Sequence, residues 1–203
     1  MIGIIDYGAG NLQSVINAFE KLNLSARLVR NAEELVKFER VILPGVGAFG
    51  EAMKKLKASN LDEAIKDFVA SGRPFLGICL GMQLLFEKSS EFGEHAGLGL
   101  LRGEVVKFDD AKFDEPLKVP HTGWNVINFV RETPINRGLK KSEYLYFVHS
   151  YHVVCDENAV LGSSEYGYKF TSAVAVDNVF GFQPHPEKSH ETGLKILLNF
   201  GEM

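Results

Sequence analysis

The feature that most limits this chain is the alternation of short apolar runs with stretches of helical period in its first eighty residues. Residues 1–5, 26–29, 40–43 and 75–78 are runs of largely aliphatic and aromatic residues. Between them, apolar side chains recur at helical spacing. Leu12, Val15, Ile16, Phe19 and Leu22 share one face, and residues 49–57 and 61–70 repeat the pattern. Asn11 and Asn60 stand where N-caps are expected, and Asn31 with Glu34 has the spacing of a capping box before a short helix. Strand–helix alternation with strands apolar along their whole length predicts a parallel sheet covered on both faces. Function in such a sheet gathers at the carboxyl ends of the strands. The run at 40–43 is expected to stop abruptly at Pro44-Gly45.

The rest of the chain has another character. Residues 103–108, 124–130, 144–155, 160–164, 170–176 and 179–182 have strand composition with turns between them, 109–118 is a polar loop, and 193–200 closes as a helix. The predicted fold is therefore α/β, a mostly parallel central sheet flanked by helices with an antiparallel extension. A length of 203 residues suits one domain spanning 1–203.

Composition removes several classes of function. With 45% hydrophobic and 24% charged residues the chain has ordinary globular usage. A net charge of −4 offers no basic surplus for nucleic acid. No apolar stretch is long enough to span a membrane, and the opening MIGIIDYGAGN lacks the layout of a signal peptide. Two cysteines, at 79 and 155, make neither a disulfide framework nor a zinc motif. The expectation is a reducing, cytoplasmic setting with no metal and no cofactor.

One of those cysteines occupies a telling place. Gly77-Ile78-Cys79-Leu80-Gly81 ends one apolar run and begins another of different period. G-x-C-x-G at a strand–helix seam is the cysteine version of the nucleophile elbow, in which flanking glycines avoid collision with neighbouring backbone. The turn would set the sulfur over the next helix N-terminus, where N–H groups and the dipole favour thiolate. The Leu80 N–H would be placed to stabilise an oxyanion. The plainer reading is a small buried hydrophobe, which is what a free cysteine commonly is.

A thiol nucleophile needs a base and the base an orienting group. Of six histidines, His185 stands out in Gln183-Pro184-His185-Pro186-Glu187. Two prolines stiffen its loop, and Glu187 is near enough to fix the imidazole tautomer. Read alone, the plainer reading of His185 is a capped loop histidine. Pro44-Gly45-Val46-Gly47-Ala48-Phe49-Gly50 is a third element. It suits close backbone approach to a ligand, as an oxyanion hole pairing Val46 N–H with Leu80 N–H, as a phosphate cradle without the full P-loop pattern, or simply as a tight turn.

Together the G-I-C-L-G-M-Q elbow, the P-G-V-G-A-F-G loop and the H-P-E-K-S segment resemble the class I, triad-type glutamine amidotransferases. D-Y-G-A-G-N at 6–11, P-H-T-G-W-N at 120–125 and Y-F-V-H-S-Y at 146–151 are most similar to members that serve as the glutaminase subunit of a biosynthetic synthase. The resemblance implies a flavodoxin-like three-layer architecture. It also implies that Cys79 attacks the side-chain amide of L-glutamine, that His185 gives the proton with which ammonia leaves, and that Glu187 orients His185. Val46 and Leu80 are the implied oxyanion donors. Gly47, Gln83, Glu91, His149, Ser150 and Tyr151 match substrate positions, and Asn11, Pro120, Thr122, Trp124 and Asn125 match the partner interface. The implied partner is a (β/α)8-barrel synthase subunit, bound as a heterodimer and supplied with ammonia through a dry passage. Three positions depart from the family pattern: Thr122 for an apolar residue, Ser150 for threonine and Pro184 for phenylalanine.

Other readings stay open at this level. A paralogous glutaminase could feed a related synthase in the amidation of surface sugars. A cysteine peptidase or redox protein could use the same elbow, though Gln83 and the H-S-Y segment suit a small amide pocket rather than an open groove. His121 and His152 are expected to be structural, and Cys155 a buried strand residue.

Overall fold

The computed structural model describes residues 1–8, 10 and 12–203. The expected N-cap and interface residue Asn11 lies outside them. The first half runs β1 (Ile2–Ile5), α1 (Leu12–Lys21), β2 (Ala26–Val29), β3 (Arg40–Gly45), α2 (Phe49–Ala58), α3 (Leu61–Ala70), β4 (Phe75–Cys79) and α4 (Leu80–Leu84). The second half adds β5 (Phe86–Ser89), β6 (His95–Ala96), β7 (Leu101–Lys107), β8 (His121–Phe129), β9 (Ser142–His149), β10 (Tyr151–Cys155), β11 (Val160–Tyr166), β12 (Tyr168–Val176), β13 (Val179–Phe182) and α5 (His190–Gly201).

All the strands join one sheet in the order β2-β1-β3-β4-β13-β12-β10-β7-β5-β6, while β11 pairs with β12 and carries β8 and then β9. The pairings among β2, β1, β3, β4 and β13 are parallel. The extension from β12 outward is largely antiparallel. Alternation along the parallel strands divides the core in two. Ile5, Val41, Leu43 and Phe75 pack with α2 and α3. Ile4, Ile42, Leu76 and Ile78 pack with α1 and α5 on the other face. Each fully buried Leu, Ile or Phe in these layers contributes about 1.5–3 kcal/mol relative to exposure. Both faces must therefore be covered, and the expected parallel sheet follows.

Some local expectations are corrected. β3 does not stop before Pro44-Gly45. Its pairing continues as Pro44↔Ile78 and Gly45↔Cys79, which lays the glycine-rich turn directly beside the elbow. The run 144–155 is two strands, broken at Ser150 where the chain crosses from β9 to β10. Asn31 makes no side-chain cap, and 32–37 is a 3-10 turn rather than a capping-box helix. Asn60 is left-handed, φ 55°, and also makes no side-chain cap bond. α5 starts at His190, ahead of the expected residue 193. The short strands β5 and β6 have no counterpart in the sequence reading. Their segment is too short and too mixed in polarity to show a period.

Candidate active site

Cys79 ends β4 at φ 55°, ψ −115°, a backbone region that side chains rarely adopt. The neighbouring glycines are needed for packing. A Cβ on Gly77 would lie 2.6 Å from the carbonyl oxygen of Gly81, and one on Gly81 would lie 1.7 Å from that of Leu43. The helix after the elbow is shorter than expected. α4 has five residues, and the chain then turns into β5, so little helix dipole stands behind the sulfur. The N–H groups of its first turn still lack intrahelical partners, and Leu80 N is the first of them.

The sulfur opens onto a cavity of about 330 Å³ lined by Val46, Gly47, Cys79, Leu80, Gln83, Glu91, Pro120, Val148, His149, Ser150, Tyr151 and His185. Every residue expected to bind substrate or form the oxyanion hole is on that wall, with Val148 added. Glu187 stands behind His185, its Oε1 2.7 Å from His185 Nδ1, and both side chains are buried. The loop holding His185 is stitched to β9. His185 N donates to Tyr146 O at 2.8 Å, Tyr146 N donates to Ser189 Oγ at 3.0 Å, and Ser189 Oγ donates to His185 O at 2.6 Å. Burial works against a charge on the imidazole, but Cys79 and then Glu187 outweigh it and raise His185 to about 10. His185 Nε2 and Glu187 Oε2 are buried with no hydrogen-bond partner among the described residues. So is the hydroxyl of Tyr7, whose ionisation is pushed up by burial and then by the charge of Cys79.

The polar residues around the cavity are already committed in part. Glu91 Oε2 accepts from Phe49 N at 2.6 Å and so caps α2 as well as facing the cavity. Gln83 spends both N–H groups internally, on Tyr151 O at 3.0 Å and Gln183 Oε1 at 2.9 Å, which leaves its oxygen for a ligand. His149 also has both nitrogens engaged. Nδ1 meets Tyr151 O at 2.8 Å and Nε2 meets His121 Nδ1 at 2.9 Å. Burial lowers His149 to about 3 and His121 to about 4, so both rings are neutral. His149 therefore shapes the wall rather than offering a free nitrogen. His152 is buried and bonded to the Tyr168 hydroxyl at 2.9 Å, while Cys155, expected to be buried, is only half-buried.

Pro120 lies on the cavity rim, whereas Thr122, Trp124 and Asn125 do not reach it. They line a second, wider cleft with His121, Glu165 and Tyr166, and the His121–His149 contact joins the two walls. In the β8–β9 register Thr122 faces Val148 and Trp124 faces Tyr146. With Tyr144, these side chains make an exposed, largely apolar strip beside the cavity. Gln183 is the residue that sequence reading passed over. It is fully buried, with Nε2 3.7 Å from Cys79 Sγ. A polar amide directly after the apolar run Val179–Phe182 was the available signal.

An elbow cysteine at a parallel strand end, a buried His–Glu pair and a small cavity thus stand together. The chain belongs to the class-I glutamine amidotransferases, whose family model matches residues 3–202. Solved structures agree in fold. A glutamine amidotransferase superposes with TM-score 0.76 at 19% identity, covering 100% of this chain and 99% of that one, and PurLQS from Thermotoga maritima with 0.77 at 21%, covering 98% and 96%. Within that class the chain belongs with the HisH subunits of imidazole glycerol phosphate synthase. It is 58% identical to that of Sulfurimonas denitrificans over 98% of this chain and 97% of the relative. To that of Wolinella succinogenes it is 54% identical over the full length of both.

Proposed function

We propose that this protein is the glutaminase subunit of an imidazole glycerol phosphate synthase, and that the cavity at Cys79 hydrolyses L-glutamine to glutamate and ammonia. The observation that carries the reading is the convergence of Cys79, the His185–Glu187 pair and Val46, Gly47 and Leu80 on one small cavity. Cys79 thiolate attacks the side-chain amide carbon. The developing oxyanion takes N–H bonds from Leu80 and, in the 44–47 turn, from Val46. His185 passes its proton to the amide nitrogen, the C–N bond breaks, and ammonia leaves a thioester on the sulfur. Water then attacks the thioester while His185 takes its proton. The C–S bond breaks, and glutamate departs. Glu187 holds the ring so that Nε2 faces the reacting atoms. Gln83 and Glu91, with the backbone of 149–151 and Gly47, hold the amino-acid end of the substrate, and the Gln83 oxygen and the Glu91 carboxylate suit its ammonium.

The exposed strip around Trp124 and Tyr146 docks a (β/α)8-barrel synthase subunit to form a heterodimer in the cytoplasm. Ammonia is largely protonated in neutral water and then unreactive, so direct passage between subunits preserves the nucleophile. The barrel adds it to a phosphoribulosyl ribonucleotide and yields imidazole glycerol phosphate and an aminoimidazole carboxamide ribonucleotide.

The test is made on the assembled synthase. Cys79→Ala should abolish product formation from glutamine and leave formation from ammonium salts intact, because only the nitrogen source is lost. Loss of both activities would contradict the division of labour. His185→Ala should match Cys79→Ala, and Glu187→Gln should be milder, since the base remains. Co-purification with a sugar-amidating synthase instead of the imidazole glycerol phosphate barrel would move the protein to the other branch.

A further inference from the structure

Gln183 follows β13 directly. Because Phe182 pairs with Ile78, the next residue along each strand brings Gln183 beside Cys79. Its backbone N donates to Ser172 O at 2.9 Å, which fixes the main chain there. The direction of its amide is dictated from two residues away. Tyr151 O can only accept, so the end of Gln83 that meets it at 3.0 Å is the amino group. The second N–H of that amino group meets Gln183 at 2.9 Å. Two amino groups cannot face each other there, so Gln183 turns its oxygen to Gln83 and its own amino group to the sulfur, 3.7 Å away. Cys79 Sγ also lies 3.9 Å from Val148 O, which could accept a thiol proton but gives nothing to a thiolate.

We propose that Gln183 is a further catalytic residue, an N–H donor to Cys79 Sγ that favours thiolate over thiol. A thiolate accepts a hydrogen bond far better than a thiol, so a fixed donor shifts the balance toward the reactive form. The ionisable groups around the sulfur are His185 and Glu187 from the segment after β13, Tyr7 after β1, and His149, Tyr151 and Glu91 across the cavity. Gln183 adds a neutral donor whose own charge does not change with pH, so its effect is read as a displacement of the thiol's profile. The proposal deepens the reading of the site as a glutaminase and rests on it for the use made of the thiolate. Sulfur reactivity itself is measured without glutamine.

The experiment follows alkylation of Cys79 by iodoacetamide from about pH 5 to about pH 10. The Cys79 peptide is quantified by mass spectrometry so that Cys155 is counted apart. Gln183→Met removes the donor. Gln183→Glu keeps an oxygen for Gln83 and sets a second oxygen against the sulfur. The expected result is a rate profile displaced to higher pH in both variants. The Met variant should react about tenfold more slowly at neutral pH, the effect of one unit of displacement, and the Glu variant more slowly still. Gln83→Met, which frees the Gln183 amide without touching the sulfur, should move the profile in the same sense by less. It serves as the reporter if either Gln183 variant fails to give a wild-type circular dichroism spectrum. Profiles that superimpose on the wild type in every folded variant would overturn the proposal. A wild-type protein with a low-pH profile but no glutamine turnover would instead refute the glutaminase reading and leave the role of Gln183 standing.

Discussion

Cys79 holds its sulfur in place at the cost of an unfavourable backbone. Its φ of 55° with ψ of −115° lies outside the basins open to a residue with a Cβ, a cost on the order of 1–3 kcal/mol. Two substitutions at this position measure that strain. Cys79→Gly should melt higher than Cys79→Ala by the equivalent of about 1 kcal/mol, since only glycine relaxes there. Equal melting temperatures would show that the turn is not strained. Gly81→Ala is the harsher change. Its Cβ would fall 1.7 Å from Leu43 O, so β3 and the elbow cannot both keep their places. We expect a loss of more than about 3 kcal/mol in denaturant unfolding. These glycines were legible in the sequence because a motif of fixed spacing states its own steric reason. Gln183 was not, because its meaning depends on a sheet register and on two partners, Gln83 and Tyr151, remote in the chain.

At the level of elements, the functional groups stand at strand ends. Cys79 closes β4, Gly45 closes β3, Gln183 follows β13, and Ser150 separates β9 from β10. The strands of the parallel half were legible because burial on both faces leaves uninterrupted apolar runs. β5, β6 and the break at Ser150 were not, since long-range pairing rather than local pattern determines them. The β8–β9 pair also carries a pH signature. Burial lowers His121 to about 4 and His149 to about 3, against an ordinary value near 6.5. Above 6.5 neither state binds the protons and stability is complete. As pH falls toward 4 the unfolded chain takes up protons that the folded rings refuse, and stability is lost. His185 has the opposite sign. Raised to about 10, it stabilises the fold fully below 6.5 and loses that contribution as pH climbs through 10. Denaturant unfolding across this range should give a maximum near pH 6.5, with each ring contributing at most about 1.4 kcal/mol per pH unit. Replacing His121 by Gln should flatten the acid limb, and replacing His185 by Gln the alkaline one. A limb unchanged by its variant would show that other groups govern it.

On the scale of the whole molecule, the cavity and the exposed β8–β9 strip are neighbours. Val148 belongs to both, and His121 touches the wall of one cleft while lining the other. A subunit covering the strip therefore meets the residues that shape the cavity at Cys79. Trp124 is the single tryptophan of the chain, 46% exposed and stacked on His190 at 5.0 Å. If the strip is the proposed docking face, the Trp124 emission should shift to shorter wavelength when the synthase partner binds. Trp124→Ala should weaken association by about 2 kcal/mol, as for a central aromatic anchor. An unshifted spectrum on a demonstrably formed complex would move the interface elsewhere.

The register of β13 against β4 has one more consequence. The amide beside the sulfur comes from a residue 104 positions further along the chain, and the imidazole from two beyond that. During synthesis the elbow leaves the ribosome long before either can reach it. Both neighbours arrive only when β13, a late-made strand, takes its place between β4 and β12. A chain stalled short of that insertion therefore has neither the Gln183 amide nor the His185–Glu187 pair at the cavity where Cys79 stands.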